Sequence, residues 1–128
     1  MSRGLADTSV FIAHEGSREL DRSAMPTELA ISVITIGELR AGVLAAPDVE
    51  TRDRRLSTLM SALELEAVPV DEGVAAAWAR LRILLRDHRT RLPINDSWIA
   101  ATALSLGVPV VTQDRDFANV PDLDVIVV

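Results

Sequence analysis

The sequence contains no cysteine and no lysine, and each absence excludes a class of chemistry. Without cysteine there are no disulfides, zinc fingers, iron–sulfur ligands or thiol nucleophiles. Without lysine there is no P-loop lysine, no Schiff-base catalysis and no lysine of a phosphoacceptor receiver domain. No apolar run approaches the roughly 18 residues that span a bilayer, and Asp7 interrupts the N-terminal apolar stretch that a signal peptide requires. We therefore expect a cytoplasmic protein.

The residues that are present suffice for a folded core. The chain has 128 residues, of which 48% are hydrophobic and 25% charged, and this is the length and composition of one globular domain. We predict a single domain over residues 1–128. The net charge is −6, from 19 acidic residues and 13 arginines. Nucleic-acid-binding domains are usually basic, so the overall charge on its own argues against a nucleic-acid partner.

Short apolar runs alternate with helical patterns along the chain. The runs are rich in Val, Ile and Leu, as strands covered on both faces are. Predicted strands are Leu5–Ala6, Leu29–Ser32, Ala67–Val70, Val108–Thr112 and Val125–Val128. Predicted helices are Val10–His14, Val33–Ala46, Asp48–Leu63, Asp71–His88 and Pro93–Leu106, with a turn and short helix over Gln113–Asn119. This alternation predicts an α/β fold with a parallel sheet between helices.

Acidic residues interrupt otherwise apolar surroundings at several points. Asp7 and Asp114 each follow a predicted strand, so a parallel sheet brings them to the edge where such folds bind ligands. Glu38 interrupts an apolar helix, Asp96 lies in the first turn of another, and Asp116 follows Asp114 by two residues. Clustered carboxylates repel one another unless a cation compensates them. A set of oxygen ligands suits Mg²⁺ or Mn²⁺.

These five acids also account for most of the net charge. Without them, 14 acidic residues balance 13 basic ones, so the overall acidity does not exclude an RNA substrate. Two divalent ions about 3.5–4 Å apart can bind a phosphodiester, activate a water and stabilise the leaving oxygen. Ser9 and Thr112 supply neutral hydroxyls beside two of the acids.

Four segments resemble, in order, the successive motifs of PIN-domain ribonucleases, and more narrowly those of the VapC-type toxins of bacterial toxin–antitoxin pairs. They are Asp7–Ser9, Ile34–Leu39, Asn95–Ala101 and Thr112–Phe117. The resemblance covers nearly the whole chain. It implies a three-layer α/β/α sandwich around a central parallel sheet.

The resemblance also implies an activity, a metal site and partners. The activity is that of a metal-dependent endoribonuclease, the toxin of a type II pair, with Mg²⁺ or Mn²⁺ as cofactor. The partners are RNA, a cognate antitoxin and a second copy of the chain in a homodimer, with no membrane. The implied metal ligands are Asp7, Glu38, Asp96 and Asp114, with Asp116 as a secondary catalytic acid and Ser9 and Thr112 as supporting residues.

Each acid also has a purely structural interpretation. Asp7 and Asp96 suit helix capping, Asp114 suits a solvated turn, and Glu38 suits an exposed helix face. The corresponding alternative function is a non-catalytic PIN-like module that docks a partner protein. A phosphoacceptor domain lacks its lysine here. An Asp-x-Asp phosphatase is excluded because Ser9 stands where the second Asp is needed.

Arginines and tryptophans form the other candidate surfaces. Arg82, Arg86 and Arg89 fall at helical spacing beside an apolar face. A solvated helix face is the default interpretation, and the alternative is contact with an RNA backbone or a partner protein. Trp78 and Trp98 lie on apolar helix faces, so both are predicted to be core residues. No role is predicted for either histidine.

Overall fold

The computed structural model describes residues 2–128 as a parallel sheet with helices on both faces. The strands are β1 (Arg3–Ala6), β2 (Glu28–Ser32), β3 (Glu66–Val68), β4 (Val110–Thr112) and β5 (Val125–Val127). The helices are α1 (Thr8–Glu15), α2 (Val33–Leu44), α3 (Val49–Ala62), α4 (Glu72–Asp87) and α5 (Ile94–Leu106). A short 3-10 helix at Arg22–Ala24 was not predicted. No helix within the described residues is long and apolar enough to cross a membrane.

β1 occupies the centre of the sheet. The strand order is β3-β2-β1-β4-β5, and every neighbouring pair is parallel. Ala6, the last residue of β1, lies opposite Ile31 of β2 and Val111 of β4. The carboxyl ends of three adjacent strands therefore meet at one edge. β2 and β3 lie on one side of β1, and β4 and β5 lie on the other, so the strand order switches direction at β1. α/β sheets bind ligands at the carboxyl edge beside such a switch point.

Successive residues of β1 face opposite layers. Leu5 packs in a core cluster with Leu81 of α4 and Ile99 of α5. Ala6 packs in a second cluster with Leu39 of α2. Both strand residues are fully buried, which explains why the strands read as continuous apolar runs rather than alternating ones. The two clusters confirm the predicted three-layer α/β/α sandwich.

Several element boundaries differ from the prediction for local chemical reasons. α1 begins at Thr8 rather than Val10 because Asp7 acts as its N-cap and accepts a hydrogen bond from the backbone N–H of Ser9. β3 ends at Val68 rather than Val70, and the next residue is Pro69, which has no N–H to donate to a neighbouring strand. The other strands and helices differ from the prediction by one or two residues at one or both ends.

The predicted short helix over Gln113–Asn119 is wrong. The segment forms isolated turns, in which the N–H of Ala118 donates to Arg115 and that of Val120 to Phe117. Phe117 and Val120 are buried in the core cluster beside α4 and α5. The segment is therefore held by these two anchoring side chains rather than by helical hydrogen bonds.

Candidate active site

The five predicted acids gather at the carboxyl edge of the sheet. Asp7 directly follows β1, and Asp114 lies two residues beyond β4. Glu38 projects from α2, the helix that begins where β2 ends, and Asp96 is the third residue of α5. Repulsion from the other four acids, Asp116 included, contributes to a raised pKa of Asp96, so its carboxyl group lies within electrostatic range of each.

Asp7 is held by hydroxyl groups from both ends of the chain. Its Oδ2 accepts from Ser9 Oγ at 2.7 Å and from Thr112 Oγ1 at 2.9 Å. The two hydroxyls in turn accept backbone N–H groups, Ser9 from Gln113 and Thr112 from Asp114, both at 2.9 Å. Ser9 and Thr112, the two predicted supporting residues, therefore both contact Asp7 directly. The network also ties the segment after β4 to the start of α1.

Asp7 is deeply buried, and one of its two carboxylate oxygens makes no hydrogen bond within the described residues. The residue is only 2% exposed, and all three hydrogen bonds to its side chain end on Oδ2. Within residues 2–128 no buried side-chain oxygen lacks a partner, so Oδ1 reaches solvent. The capping interpretation of Asp7 is correct, because its side chain caps the N-terminus of α1. It accounts for Oδ2, whereas Oδ1 makes no hydrogen bond within the described residues.

Glu38 is positioned by a hydroxyl that sequence reasoning missed. Thr8 Oγ1 donates to Glu38 Oε1 at 2.7 Å and also forms a 3.0 Å hydrogen bond with Thr35 Oγ1. Both threonines are buried. The spacing of Thr35 and Glu38, three residues apart on α2, was the available signal, because such residues share a helix face. Glu38 therefore faces the site rather than open solvent.

Asp96 carries the most perturbed carboxyl group. Burial, followed by repulsion from Asp7 and Glu38 and then from Asp116 and Asp114, raises its pKa to about 7. The capping interpretation fails here. The N-cap position of α5 is Pro93, which makes no side-chain hydrogen bond, and Asp96 lies three residues inside the helix. Neutral pH therefore leaves this half-buried group only partly ionised when no cation is present.

Asp114 and Asp116 form the exposed rim of the site. Burial raises the pKa of Asp114, with repulsion from Asp7 and Asp116 adding to the shift and Arg18 opposing it. The backbone N–H of Asp114 is fixed by Thr112, so this residue starts from a rigid position although its side chain is exposed. The solvated-turn interpretation describes the exposure of both acids but not their effect on Asp96.

The site has the donor chemistry of a cation site without being preassembled. The ion pairs within residues 2–128 are Arg3–Glu28 and Arg86–Asp87, so none of the five acids forms an ion pair with an arginine. No three His, Asp or Glu side chains in the described chain already stand at the spacing of a metal-bound set. All-oxygen donors and uncompensated negative charge fit Mg²⁺ or Mn²⁺. Ligation requires side-chain rotation.

Comparisons with known proteins agree with this architecture. The family model of the PIN domain matches residues 5–123. The chain belongs to the PIN-domain family. This PIN domain is 52% identical to Ribonuclease VapC5 of Mycobacterium tuberculosis, over 90% of the chain and 85% of that relative. It is 51% identical to Ribonuclease VapC4 of the same species, over 98% of the chain and 97% of that relative.

A solved structure gives the same result. The crystal structure of VapBC-5 from Mycobacterium tuberculosis, a member of the VapBC family of toxin-antitoxin systems, superposes on this PIN domain with a TM-score of 0.90. The match has 46% sequence identity and covers 100% of this chain and 98% of the other. The predicted family is confirmed.

The arginines predicted at helical spacing in this PIN domain border a groove beside α5. Arg82, Arg86 and Arg89 are all exposed, as predicted for a solvated face. Arg82 and Arg86 also line a surface groove of about 520 Å³, together with Leu85, Thr90, Arg91, Leu92 and Pro93. Pro93 immediately precedes α5, so the groove runs toward the helix that carries Asp96.

The two tryptophans match their predicted core role only in part. Both are half-buried and pack against the cluster of α4 and α5. Their rings stack face to face, with centroids 4.3 Å apart and planes 3° from parallel. The guanidinium of Arg82 lies 5.2 Å from the centre of the Trp78 ring. The indole N–H of Trp78 donates to Ser97 Oγ at 3.0 Å.

Proposed function

We propose that this PIN domain is a metal-dependent endoribonuclease and the toxin of a bacterial type II toxin–antitoxin pair, acting in the cytoplasm. The observation that carries the proposal is the edge of the sheet where four carboxylates surround that of Asp96, and none of the five is paired with an arginine. The likeness to Ribonucleases VapC4 and VapC5 supports RNA as the substrate. A single catalytic domain over residues 1–128 is part of the same proposal.

Asp7, Glu38, Asp96 and Asp114 are the proposed ligands of Mg²⁺ or Mn²⁺. When bound, such an ion lowers the pKa of a water molecule and stabilises negative charge on a phosphodiester. The pKa of Asp96 is raised by burial and then by repulsion from the other acids, and the repulsion supports this assignment because a divalent cation offsets it. Asp116 adds negative charge at the rim as a secondary acid.

The neighbouring hydroxyls orient the proposed ligands. Ser9 and Thr112 hold Asp7 Oδ2 and leave Oδ1 free for ligation. Thr8 holds one oxygen of Glu38 and leaves the other. Residues that fix ligand orientation in this way commonly contribute 10- to 100-fold to metal affinity or activity.

The groove lined by Arg82, Arg86 and Arg91, here called the arginine groove, is the proposed path of the RNA backbone. Arg82, Arg86 and Arg91 place three guanidinium groups along a groove that ends at the start of α5. Guanidinium groups bind phosphates with charge-assisted hydrogen bonds. Phosphates held there bring the chain of an RNA toward Asp96, whereas the acids themselves repel a polyanion. The groove therefore supplies the attraction that the acidic site lacks.

A second groove, which Glu38 helps to line, suits the proposed antitoxin. It has a volume of about 330 Å³ and lies between α1, α2 and α3, where Ile12, Leu39 and Gly42 lie beside Glu38. Ile12 is 49% exposed. An antitoxin segment with an apolar side chain for Ile12 and an arginine or lysine for Glu38 fits this mixture. The VapBC-5 relative belongs to a family of toxin–antitoxin systems. We further propose a homodimer.

Paired cleavage and melting assays test the activity and the metal together. Asp96→Asn keeps the size of the side chain and removes one negative charge. We expect wild-type protein to melt at a higher temperature in Mn²⁺ than in EDTA, through mass action, and to cleave RNA only with the metal. Asp96→Asn should lose most of both responses, because a lost ligand misplaces the ion.

Asp53→Asn is the matched control, since it makes the same chemical change on the exposed surface of α3. It should retain wild-type cleavage and wild-type stabilisation by Mn²⁺. A wild-type protein that binds a partner but neither responds to metal nor cuts RNA would establish the non-catalytic docking module instead.

Expression from the native operon tests the partner. We expect the chain to co-purify with the product of the adjacent reading frame and to arrest growth when expressed without it. Recovery of the chain alone, active and harmless to its host, would remove the toxin assignment while leaving the nuclease intact.

A further inference from the structure

The first turn of α5 is held without an ordinary cap. Its N-cap position is Pro93, which offers no side-chain acceptor to the free N–H groups of the helix. The turn nevertheless carries Asp96, the carboxyl group on which the proposed site centres. A ligand-bearing turn without a cap would fray, since helix ends are the least stable part of a helix. Other contacts must fix it.

Three hydrogen bonds converge on Ser97, the residue after Asp96. Its backbone N–H donates to the carbonyl of Pro93 at 2.9 Å. Its hydroxyl donates to the carbonyl of Ile94 at 2.5 Å and accepts the indole N–H of Trp78 at 3.0 Å. Ser97 is fully buried, so water cannot replace these partners. The Ser97 hydroxyl is therefore fixed both as a hydrogen-bond donor and as an acceptor.

The direction of the Ser97 hydroxyl depends on Trp78. The indole N–H is a donor only, so the oxygen of Ser97 must accept from it, and its own proton is left for Ile94. The Trp78 ring also stacks on Trp98 and lies near Arg82, but neither of these contacts reaches Ser97. Trp78 belongs to α4, so its hydrogen bond to Ser97 joins the site-bearing turn of α5 to a second helix.

We propose that Trp78 is a positioning residue, whose indole N–H fixes the Ser97 hydroxyl and so holds the first turn of α5 with Asp96 turned toward the other acids. The inference rests on the proposed function, since it assigns Trp78 a part in the geometry of that same site. Trp78 touches neither metal nor RNA in this role. It acts through Ser97 alone.

The chain offers a matched control for the missing hydrogen bond. Trp78→Phe keeps an aromatic ring in the stack and removes the donor to Ser97. Trp98→Phe makes the same change in the other half of the stack. Within the described residues the N–H of Trp98 donates to no protein atom and reaches solvent. The two variants therefore differ in whether Ser97 loses its partner.

Binding of Mn²⁺ alone, measured by the electron paramagnetic resonance signal of the free ion, is the primary readout. We expect Trp78→Phe to weaken Mn²⁺ binding about tenfold, in the range found for residues that orient metal ligands. Its kcat on RNA should fall by a similar factor while its KM stays within twofold. Trp98→Phe should stay within twofold of wild type in all three. Equal behaviour of the two variants overturns the proposal.

Ser97→Ala keeps the proposal falsifiable if Trp78→Phe melts too low to assay. It should also weaken Mn²⁺ binding about tenfold, and wild-type binding by it overturns the proposal. Where both single variants fold, the double variant should bind no more weakly than Ser97→Ala, because both changes break one chain of contacts. If the double variant instead weakens Mn²⁺ binding by the product of the two single effects, the proposal is overturned. Wild-type protein that binds Mn²⁺ without cutting RNA defeats only the proposed activity. Wild-type protein that binds none defeats both.

Discussion

The hydroxyl oxygens of Ser9 and Thr112 lie 3.1 Å apart, although 103 residues separate them in the chain, and both donate to the same oxygen of Asp7. One residue follows β1 by three positions and the other ends β4. Parallel pairing of the two strands brings them together. The buried carboxylate of Asp7 thus receives neutral hydroxyl donors from the segments that end β1 and β4.

Thr112→Val tests the contribution of this arrangement. The substitution keeps the shape of a fully buried side chain and removes the donor to Asp7 and the acceptor of the Asp114 N–H. We expect a loss of about 1–3 kcal/mol in the free energy of unfolding and about tenfold slower cleavage.

Thr102→Val is the control for Thr112→Val. Thr102 is equally buried, but its hydroxyl donates to the carbonyl of Trp98, a contact within α5 itself. We expect a smaller loss of stability and unchanged cleavage. Equal loss of cleavage in both variants would show that any buried threonine affects activity through stability alone.

The raised pKa of Asp96 predicts an unusual pH dependence of stability in EDTA. In the folded protein this pKa is about 7, against an ordinary value of 3.8. Between these two values the folded state keeps a proton that the unfolded state has released. Metal-free stability should therefore fall as the pH rises from about 4 to about 7. Melting temperatures across this range measure the effect.

Asp96→Asn removes that titration and should flatten the curve. At pH 8 in EDTA the variant should melt at or above the temperature of wild type, because it carries no charge to be repelled. At pH 4 the difference should disappear. A variant that melts below wild type at pH 8 without metal would mean that the carboxylate of Asp96 stabilises the fold, against the repulsion inferred here.

The chemistry of the cut RNA ends distinguishes two nucleophiles. Attack by a metal-activated water leaves 5′-phosphate and 3′-hydroxyl ends, whereas attack by the RNA 2′-hydroxyl leaves a 2′,3′-cyclic phosphate. His14 lies exposed on α1 and His88 follows α4, so no histidine pair is placed to activate that hydroxyl. We expect 5′-phosphate ends by end-labelling, and cyclic phosphate ends would refute the water mechanism.

The arginine groove predicts a salt-dependent KM. Arg86→Gln combined with Arg91→Gln removes two guanidinium groups and leaves Arg82 beside Trp78. We expect KM for RNA to rise and the slope of log affinity against log salt to fall by about 0.7 per lost phosphate contact, with kcat unchanged. The exposed pair Arg52→Gln and Arg54→Gln on α3 is the control. Equal effects of both pairs would indicate only a general charge effect.

Sequence patterns predicted the sheet and the acids because both depend on local signals. Apolar runs reveal strands, and Asp7 and Glu38 stand out against apolar neighbours. The residues that were missed depend on long-range contacts. Thr8 and Thr35 look like ordinary helix residues until α1 packs beside α2, and the partner of Trp78 becomes visible only when α4 meets α5. Hydrophobic periodicity identifies which face of a helix is buried. It does not identify which atom of a neighbouring helix that face contacts.

The short helix predicted over Gln113–Asn119 failed for a related reason. The burial of Phe117 and the anchoring of the Asp114 N–H by Thr112 impose turns on this segment. Tertiary contacts thus decided this segment. The spacing of the acids also escaped prediction, since the torsions that separate or gather carboxylates leave no trace in a sequence.

The central position of β1 determines when the protein can become active during its own synthesis. β1 is made first, but its neighbour β4 ends at Thr112, so a ribosome adding about 5–20 residues per second needs roughly 6–20 s to supply it. Until then Asp7 lacks its second hydroxyl donor, and Asp114 does not yet exist. A nascent chain that ends before Asp114 therefore lacks part of the proposed site.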